Sequence, residues 1–278
     1  MKQSSFWLLV LALLVGGGAF YFWQYIQKQA GQEQQPLVEN PSASNTEESQ
    51  GPSILYPVPK APLTTGAPDS EPAEAPEPPL PALEDSDPVF EKEFSRLFDP
   101  ALYAKLFIFQ EFANRFVVTV DNLTAPKLPQ KYQVTHPPAG YFLANKDAAD
   151  KQFIDPANYR RYDLYVRFMQ AMDIKTIAAV YVRYYPLFQQ AYENLGYPNQ
   201  YFNDRFIEVI DNLLATPDVT TPVELVRPSV YYKFADPDLE GLSAGQKILI
   251  RMGYDNAFKV KSKLRELRQA LATLSSNL

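Results

Sequence analysis

The sequence predicts a mostly α-helical protein. It would have an N-terminal transmembrane helix, a disordered linker and an irregular multi-helix C-terminal domain with at most a minor hairpin. Three observations predict this architecture: an uncharged apolar run near the N-terminus, an acidic proline-rich stretch after it, and apolar residues at helical spacing from Pro88 onwards. The predicted parts are a cytoplasmic N-terminus at 1–5, an anchor at 6–26, a linker at 27–86 and an extracytoplasmic helical domain at 87–278.

The predicted anchor runs from Phe6 to Ile26 and contains no charged residue. Its 21 residues would span about 30 Å as a helix, which is the thickness of a bilayer's hydrocarbon core. Trp7 and Trp23 lie near its two ends, where aromatic side chains favour the membrane–water interface. A cleaved signal peptide, cut after Ala19, is the alternative. We expect an uncleaved anchor because the apolar run continues well beyond that position.

The predicted linker is acidic and rich in proline. From Pro36 to Asp87 there are ten acidic residues and one basic residue, Lys60, and twelve of the 25 prolines fall between Pro36 and Pro81. Such a chain cannot bury enough apolar surface to offset the entropy lost on ordering, so we expect a disordered spacer. The net charge of −6 comes from this stretch, because residues from Pro88 onwards carry 23 basic and 21 acidic side chains. No nucleic-acid partner is predicted.

Helix starts in the domain are marked by Asp-Pro pairs and by one capping box. An aspartate before a helix accepts hydrogen bonds from free backbone N–H groups, and a proline at the first helical position has no N–H to leave unpaired. Ser243 and Gln246 have the spacing of a capping box. The predicted helices are 88–98, 100–122, 156–172, 174–195 (with a break or kink near Pro186 and a stop at Gly196), 200–215, 243–253 and a last helix capped by Asp255.

Two stretches between these helices have the composition of strands. Residues 141–143 and 152–154 are predicted to form a minor hairpin, and 223–234 a short strand or an extended arm. In the last helix, Phe258 or Val260 and the leucines from Leu264 onwards are expected to face inward.

Three runs of the sequence resemble a known family. They are DPANYRRYDLYV at 155–166, YPLFQQAYENLGYPNQYFNDRFIEVIDNLLATP at 185–217, and ELVRPSVYYKFADPDLEGLSAGQKILIRMG at 224–253. These runs resemble a bacterial family catalogued as domain of unknown function 3014, and the resemblance covers roughly Asp87 to Leu271. It implies a single-pass protein of the inner membrane, anchored through Phe6 to Ile26, with its domain in the periplasm. It supplies no activity, substrate or catalytic residue.

A cluster of arginines and tyrosines is the candidate binding site. These side chains dominate the energetics of protein contacts, and guanidinium groups also bind carboxylates. The alternative is structural, with the tyrosines packed inward and the arginines paired with Asp155 or Asp163. The candidate residues are Tyr159, Arg160, Arg161, Tyr162, Arg183 and Tyr184.

The sequence contains no recognisable catalytic motif. There is no cysteine and a single histidine, His136, and no nucleophile elbow, Walker loop or dinucleotide fingerprint occurs. We therefore predict no catalytic residue, cofactor or metal. The expected function is a membrane-tethered, non-enzymatic binding or scaffold module whose partner is an envelope protein or peptidoglycan. The alternative is a cell-wall or peptide hydrolase that uses Asp204 and Glu208, on one helix face with Asp211, as acid and base. A solvated or salt-bridged helix face also explains these three carboxylates.

Overall fold

The computed structural model describes residues 54–59 and 78–274, and in this part the protein is mostly helical, as predicted. None of the helices in the described part combines the length and hydrophobicity needed to cross a bilayer. The predicted transmembrane helix at 6–26 lies outside the described residues. The α-helices are α1 Asp87–Leu97, α2 Pro100–Tyr103, α3 Phe112–Asn122, α4 Asp163–Ala171, α5 Ile174–Asn194, α6 Phe202–Leu214, α7 Pro237–Glu240, α8 Ala244–Arg251 and α9 Tyr254–Leu274.

The sheet is larger than the minor hairpin that the sequence predicts. Its four short antiparallel strands lie in the order β1 (Ala144–Lys146), β2 (Gln152–Ile154), β3 (Glu224–Val226) and β4 (Lys233–Phe234). The first strand begins three residues later than expected, and the stretch predicted as one strand or arm forms both β3 and β4. The pairing of β2 with β3 joins segments about 70 residues apart, and local composition cannot predict such a contact.

The prediction of one continuous helix at 100–122 is wrong in its middle. Residues 104–111 leave the helix, and the backbone around Phe107 pairs with that around Thr135. Helix α3 then starts anew at Phe112, where both carboxylate oxygens of Asp87 accept backbone hydrogen bonds, from Glu111 N at 2.7 Å and Phe112 N at 2.8 Å. The cap of α3 is thus supplied by the first residue of α1, a tertiary contact that no local pattern contains.

The other predicted helices are confirmed, with small shifts of their ends, but Asp255, predicted to cap the last helix, lies within its first turn. The stretch predicted as 156–172 begins as a 3-10 turn, Pro156–Tyr162, and becomes α-helical only in α4. Helix α5 contains Pro186 and is followed by Gly196, whose φ of 117° is a left-handed conformation suited to a helix end. Ser243 and Gln246 form the predicted capping box of α8.

Two hydrophobic clusters position the surface described below. The larger one is rich in aromatic rings and joins α1, α3, α5, α6 and α9, with Phe202 and Leu271 fully buried. The smaller one lies under the sheet and includes Phe234 of β4 and Ile250 of α8. Helix α8 therefore packs against the sheet, and the chain turns from α8 into α9 beside it. Phe258 of α9, expected to face inward, is 56% exposed.

Parts of the predicted linker belong to the folded unit. Residues 54–59 lie on the domain, where Tyr56 and Val58 pack against the larger cluster. Leu80 packs there too, and Leu83–Asp85 form a 3-10 turn. The prediction of disorder over 27–86 is therefore wrong for 54–59 and 78–86. The rest of that stretch lies outside the described residues.

Candidate functional site

A cleft of about 890 Å³ lies between the sheet and the junction of α8 with α9. One wall comes from β1, β2 and the 3-10 turn at Pro156–Tyr162, and the other from the loop 219–223 and the start of α9. Its volume is within the range of small-ligand and peptide sites. Among the side chains that line it are Tyr159, Arg160, Asp163, Tyr254, Asp255, Asn256 and Lys259.

Tyr159 is held in the cleft by the α8–α9 junction. The 3-10 turn that carries it starts where the Asp155 side chain accepts a hydrogen bond from Ala157 N at 2.8 Å. Gly253 has a φ of 83°, and a Cβ atom at this position would lie 2.8 Å from the Tyr159 ring. The Asn256 side chain donates a hydrogen bond to the Tyr159 carbonyl at 3.1 Å. Glycine at position 253 thus permits both the turn into α9 and the close approach of the ring.

The cleft contains charges that the fold does not pair. Arg160 and Asp163 are three residues apart, and Asp255 and Lys259 are four apart, spacings at which side chains on a helix can meet. Neither pair forms an ion pair within residues 54–59 and 78–274, and all four side chains are exposed. These groups are available to a ligand that carries charge.

Arg161 and Tyr162 stabilise the structure behind the cleft. The Arg161 guanidinium donates hydrogen bonds to the backbone carbonyls of Pro138, Ala139 and Gly140 at 3.2, 2.9 and 3.0 Å. Tyr162 is buried against α8, and burial raises the pKa of its phenol. Both side chains thus have a structural role, which is the alternative to a binding role for the arginine–tyrosine cluster. The acceptors of Arg161 are carbonyls, however, and not the expected aspartates.

Arg183 and Tyr184 lie in a different part of the fold. Both are on α5, away from the cleft lining, and the Arg183 guanidinium stacks 5.5 Å from the centre of the Tyr184 ring. Tyr184 is buried, and its hydroxyl donates a hydrogen bond to Glu93 at 3.2 Å. The structure therefore brings together Tyr159 and Arg160 of the six candidates, keeps Arg161 and Tyr162 behind them, and separates Arg183 and Tyr184.

The three carboxylates of α6 have separate partners. Asp204 accepts hydrogen bonds from the backbone N–H groups of Leu55 and Tyr56. Glu208 pairs with Arg205 at 2.9 Å, and Asp211 pairs with Arg268 of α9. None of the three lines the cleft. An acid and a base that share one substrate must face the same position, and this arrangement offers no such position.

Three residues at the start of the last helix also contribute to this surface, and no local pattern in the sequence predicts that they lie there. Lys259 and Tyr254 line the cleft, and the Phe258 ring lies 6.4 Å from that of Tyr254. A basic helix face is usually solvated, and the spacing of its cations does not distinguish Lys259 from the others on α9. In the part of the chain that the structure describes, no group of three or more His, Cys, Asp or Glu side chains could hold a metal ion.

The fold and the cleft define a mostly helical domain with a small antiparallel sheet and an aromatic, charge-bearing surface. The family described as "Protein of unknown function (DUF3014)" matches residues 112–268, which is more than half of the chain. The chain belongs to this family. The search of curated proteins and the search of solved structures returned no match.

Proposed function

We propose that this protein is a membrane-tethered, non-enzymatic binding or scaffold module of the bacterial cell envelope, and that the cleft contacts its partner. One observation carries the proposal. Two cations, Arg160 and Lys259, have no ion-pair partner among the described residues and line the cleft together with the exposed ring of Tyr254, which lies 6.4 Å from that of Phe258. Arginine and aromatic side chains are the groups that contribute most to the affinity of protein interfaces.

The proposed partner presents charged groups of both signs together with apolar groups. Carboxylates would pair with Arg160 and Lys259, cations with Asp163 and Asp255, and an apolar group would cover Tyr254 and Phe258, which are 41% and 56% exposed. An envelope protein meets both requirements, and a peptidoglycan fragment meets the first. The hydrolase alternative has no supporting observation, because Asp204, Glu208 and Asp211 are each engaged by a different group.

In this proposal, residues 6–26 anchor the chain in the inner membrane and the domain lies in the periplasm. The uncharged apolar run supports the anchor. The chain's membership in the family, matched over residues 112–268, supports the periplasmic location, because the resemblance to that family implies a single-pass envelope protein.

Capture from detergent-solubilised envelopes tests the role of the cleft. We expect the tagged full-length chain to recover a reproducible partner. We expect the double variant Arg160→Ala, Lys259→Ala to recover at least about tenfold less, because an arginine anchor contributes about 2 kcal/mol or more to an interface. The variant should melt at the same temperature as the wild type, since exposed and unpaired side chains add little to stability.

The matched control is Arg265→Ala. Arg265 is an exposed cation on the same helix, α9, and does not line the cleft. It should leave recovery unchanged. Equal recovery by the wild type, the control and the double variant would show that the cleft is not the contact surface.

A further inference from the structure

A second binding surface lies at the start of α6, where residues 54–59 contact the domain. The Asp204 carboxylate accepts two backbone hydrogen bonds, from Leu55 N at 3.0 Å and from Tyr56 N at 2.8 Å. The Asn203 side chain donates one to the Tyr56 carbonyl at 2.8 Å. Two neighbouring side chains thus bind three backbone groups of two consecutive residues, Leu55 and Tyr56.

The Asn203 amide is held from the domain side. Asn203 is fully buried, and its side-chain oxygen accepts a hydrogen bond from the hydroxyl of buried Tyr181 at 3.0 Å. This bond leaves the amide N–H₂ group directed at the Tyr56 carbonyl. The domain thus orients a donor towards the segment at the bend formed by Leu55 and Tyr56.

The segment Ile54–Pro59, with the sequence ILYPVP, suits such a surface. Two of its six residues are prolines, which hold the chain extended and lower the entropy lost on binding. Tyr56 and Val58 pack against the larger hydrophobic cluster, and the Leu55 side chain is 69% exposed. The segment thus binds through its backbone and through the side chains of Tyr56 and Val58.

We propose that Asn203 and Asp204 form a peptide-binding site whose occupant is this chain's own segment 54–59, held reversibly in cis. The contacts are few: three hydrogen bonds to the backbone, one between the Tyr56 and Arg268 side chains, and two packed side chains. Residues 60–77 join the segment to the domain, so docking is intramolecular and its extent does not depend on the protein concentration.

Docking changes how far the domain can reach from the predicted anchor, a consequence that depends on the membrane tether proposed above. With the segment released, 51 residues (27–77) separate anchor and domain; with it docked, 27 residues (27–53) do. Fully extended, these chains span roughly 160 Å and 85 Å at about 3.1 Å per residue. The site acts as a clasp that shortens the tether.

Limited trypsin digestion of the full-length chain in detergent tests the clasp. Lys60 follows the docked segment directly, and Lys28 and Lys92 are the nearest other trypsin sites in the sequence. Cutting at Lys60 requires the neighbouring segment to leave the domain, so its rate relative to cutting at Lys28 reports the released fraction. Leu55→Pro removes a backbone donor to Asp204 and should raise this ratio at least tenfold, the effect of about 1.4 kcal/mol.

Ile54→Pro is the matched control, because Ile54 is partly exposed and its N–H group does not bind Asp204. It should change the ratio less than twofold. On the domain side, Asp204→Asn should behave like Leu55→Pro, and Glu208→Gln, one turn along α6, should behave like the wild type. A synthetic peptide of residues 53–59, added at millimolar concentration, should accelerate cutting at Lys60 in the wild type.

Three results would overturn the proposal. One is a ratio that Leu55→Pro and Asp204→Asn leave unchanged. Another is degradation of the domain at the same rate as cutting at Lys60, which would make the segment an integral part of the core. The third is protection of Lys60 that weakens on dilution of the protein, which would assign the site to the segment of a second copy. The reach and the occupant of this site are thus tested without reference to the cleft.

Discussion

Arg160 and Arg161 follow one another on the same 3-10 turn but have different surroundings. Arg160 is exposed and has no ion-pair partner within the described part of the chain. Arg161 donates to three consecutive backbone carbonyls, at 138–140, and to the side-chain oxygen of buried Asn158 at 3.1 Å. Asn158 also donates to the Asp155 carbonyl at 2.9 Å. Arg161 therefore ties the loop before β1 to the turn that carries Tyr159.

We predict that Arg161→Ala lowers the free energy of unfolding by about 2 kcal/mol, because hydrogen bonds from a charged donor contribute about 1.5–3 kcal/mol. Arg160→Ala is the adjacent control and should change it by less than about 0.5 kcal/mol. Urea unfolding followed by circular dichroism measures both. Equal stability of the two variants would mean that the Arg161 contacts contribute nothing to the loop.

Local capping patterns predicted several helix ends correctly, while contacts between distant segments decided the rest. Asp155, the Ser243–Gln246 pair and Gly196 each act through neighbouring backbone groups, so their patterns are visible in the sequence. The interruption at 104–111 depends on Asp87 and on the pairing of Phe107 with Thr135. Continuous apolar spacing alone predicted a helix there.

The capping box of α8 also joins two helices. Ser243 donates a hydrogen bond to the Asn212 side-chain oxygen of α6, and Gln246 donates one to the Asn212 carbonyl, both at 2.9 Å. The box therefore fixes α8, and with it one end of the cleft, against α6.

We predict that Ser243→Ala destabilises the protein by about 1–2 kcal/mol, the upper part of the range of about 0.5–2 kcal/mol found when a helix-capping hydroxyl is removed, because this hydroxyl also binds Asn212. Ser95→Ala is the control, because the Ser95 hydroxyl is exposed and binds only a carbonyl within its own helix, α1. It should change stability by less than about 0.5 kcal/mol. A thermal melt of both variants makes the comparison. A Ser243→Ala variant as stable as Ser95→Ala would contradict the role given to the box.

Across the whole molecule, the candidate surface could be predicted only in part. Tyr159 and Arg160 of the turn Pro156–Tyr162 could be named as candidates, because a short run of arginines and tyrosines is visible in the sequence. Tyr254 and Lys259 lie about 95–100 residues further along the chain, and the close packing of Gly253 against the Tyr159 ring brings them to the same cleft. That packing is a long-range contact without a local pattern. Arg183 and Tyr184 have the same composition as the turn but lie elsewhere.

We propose that the protein binds its partner through the cleft. Photo-crosslinking in living cells, with a photoreactive phenylalanine analogue placed at one position, tests it most directly. Tyr254 lines the cleft, whereas Tyr231 does not; both are exposed tyrosines, so the two substitutions are matched. We predict one discrete crosslinked product from position 254 and none from position 231. Products from position 231 alone, or the same products from both positions, would contradict the assignment of the cleft as the binding surface.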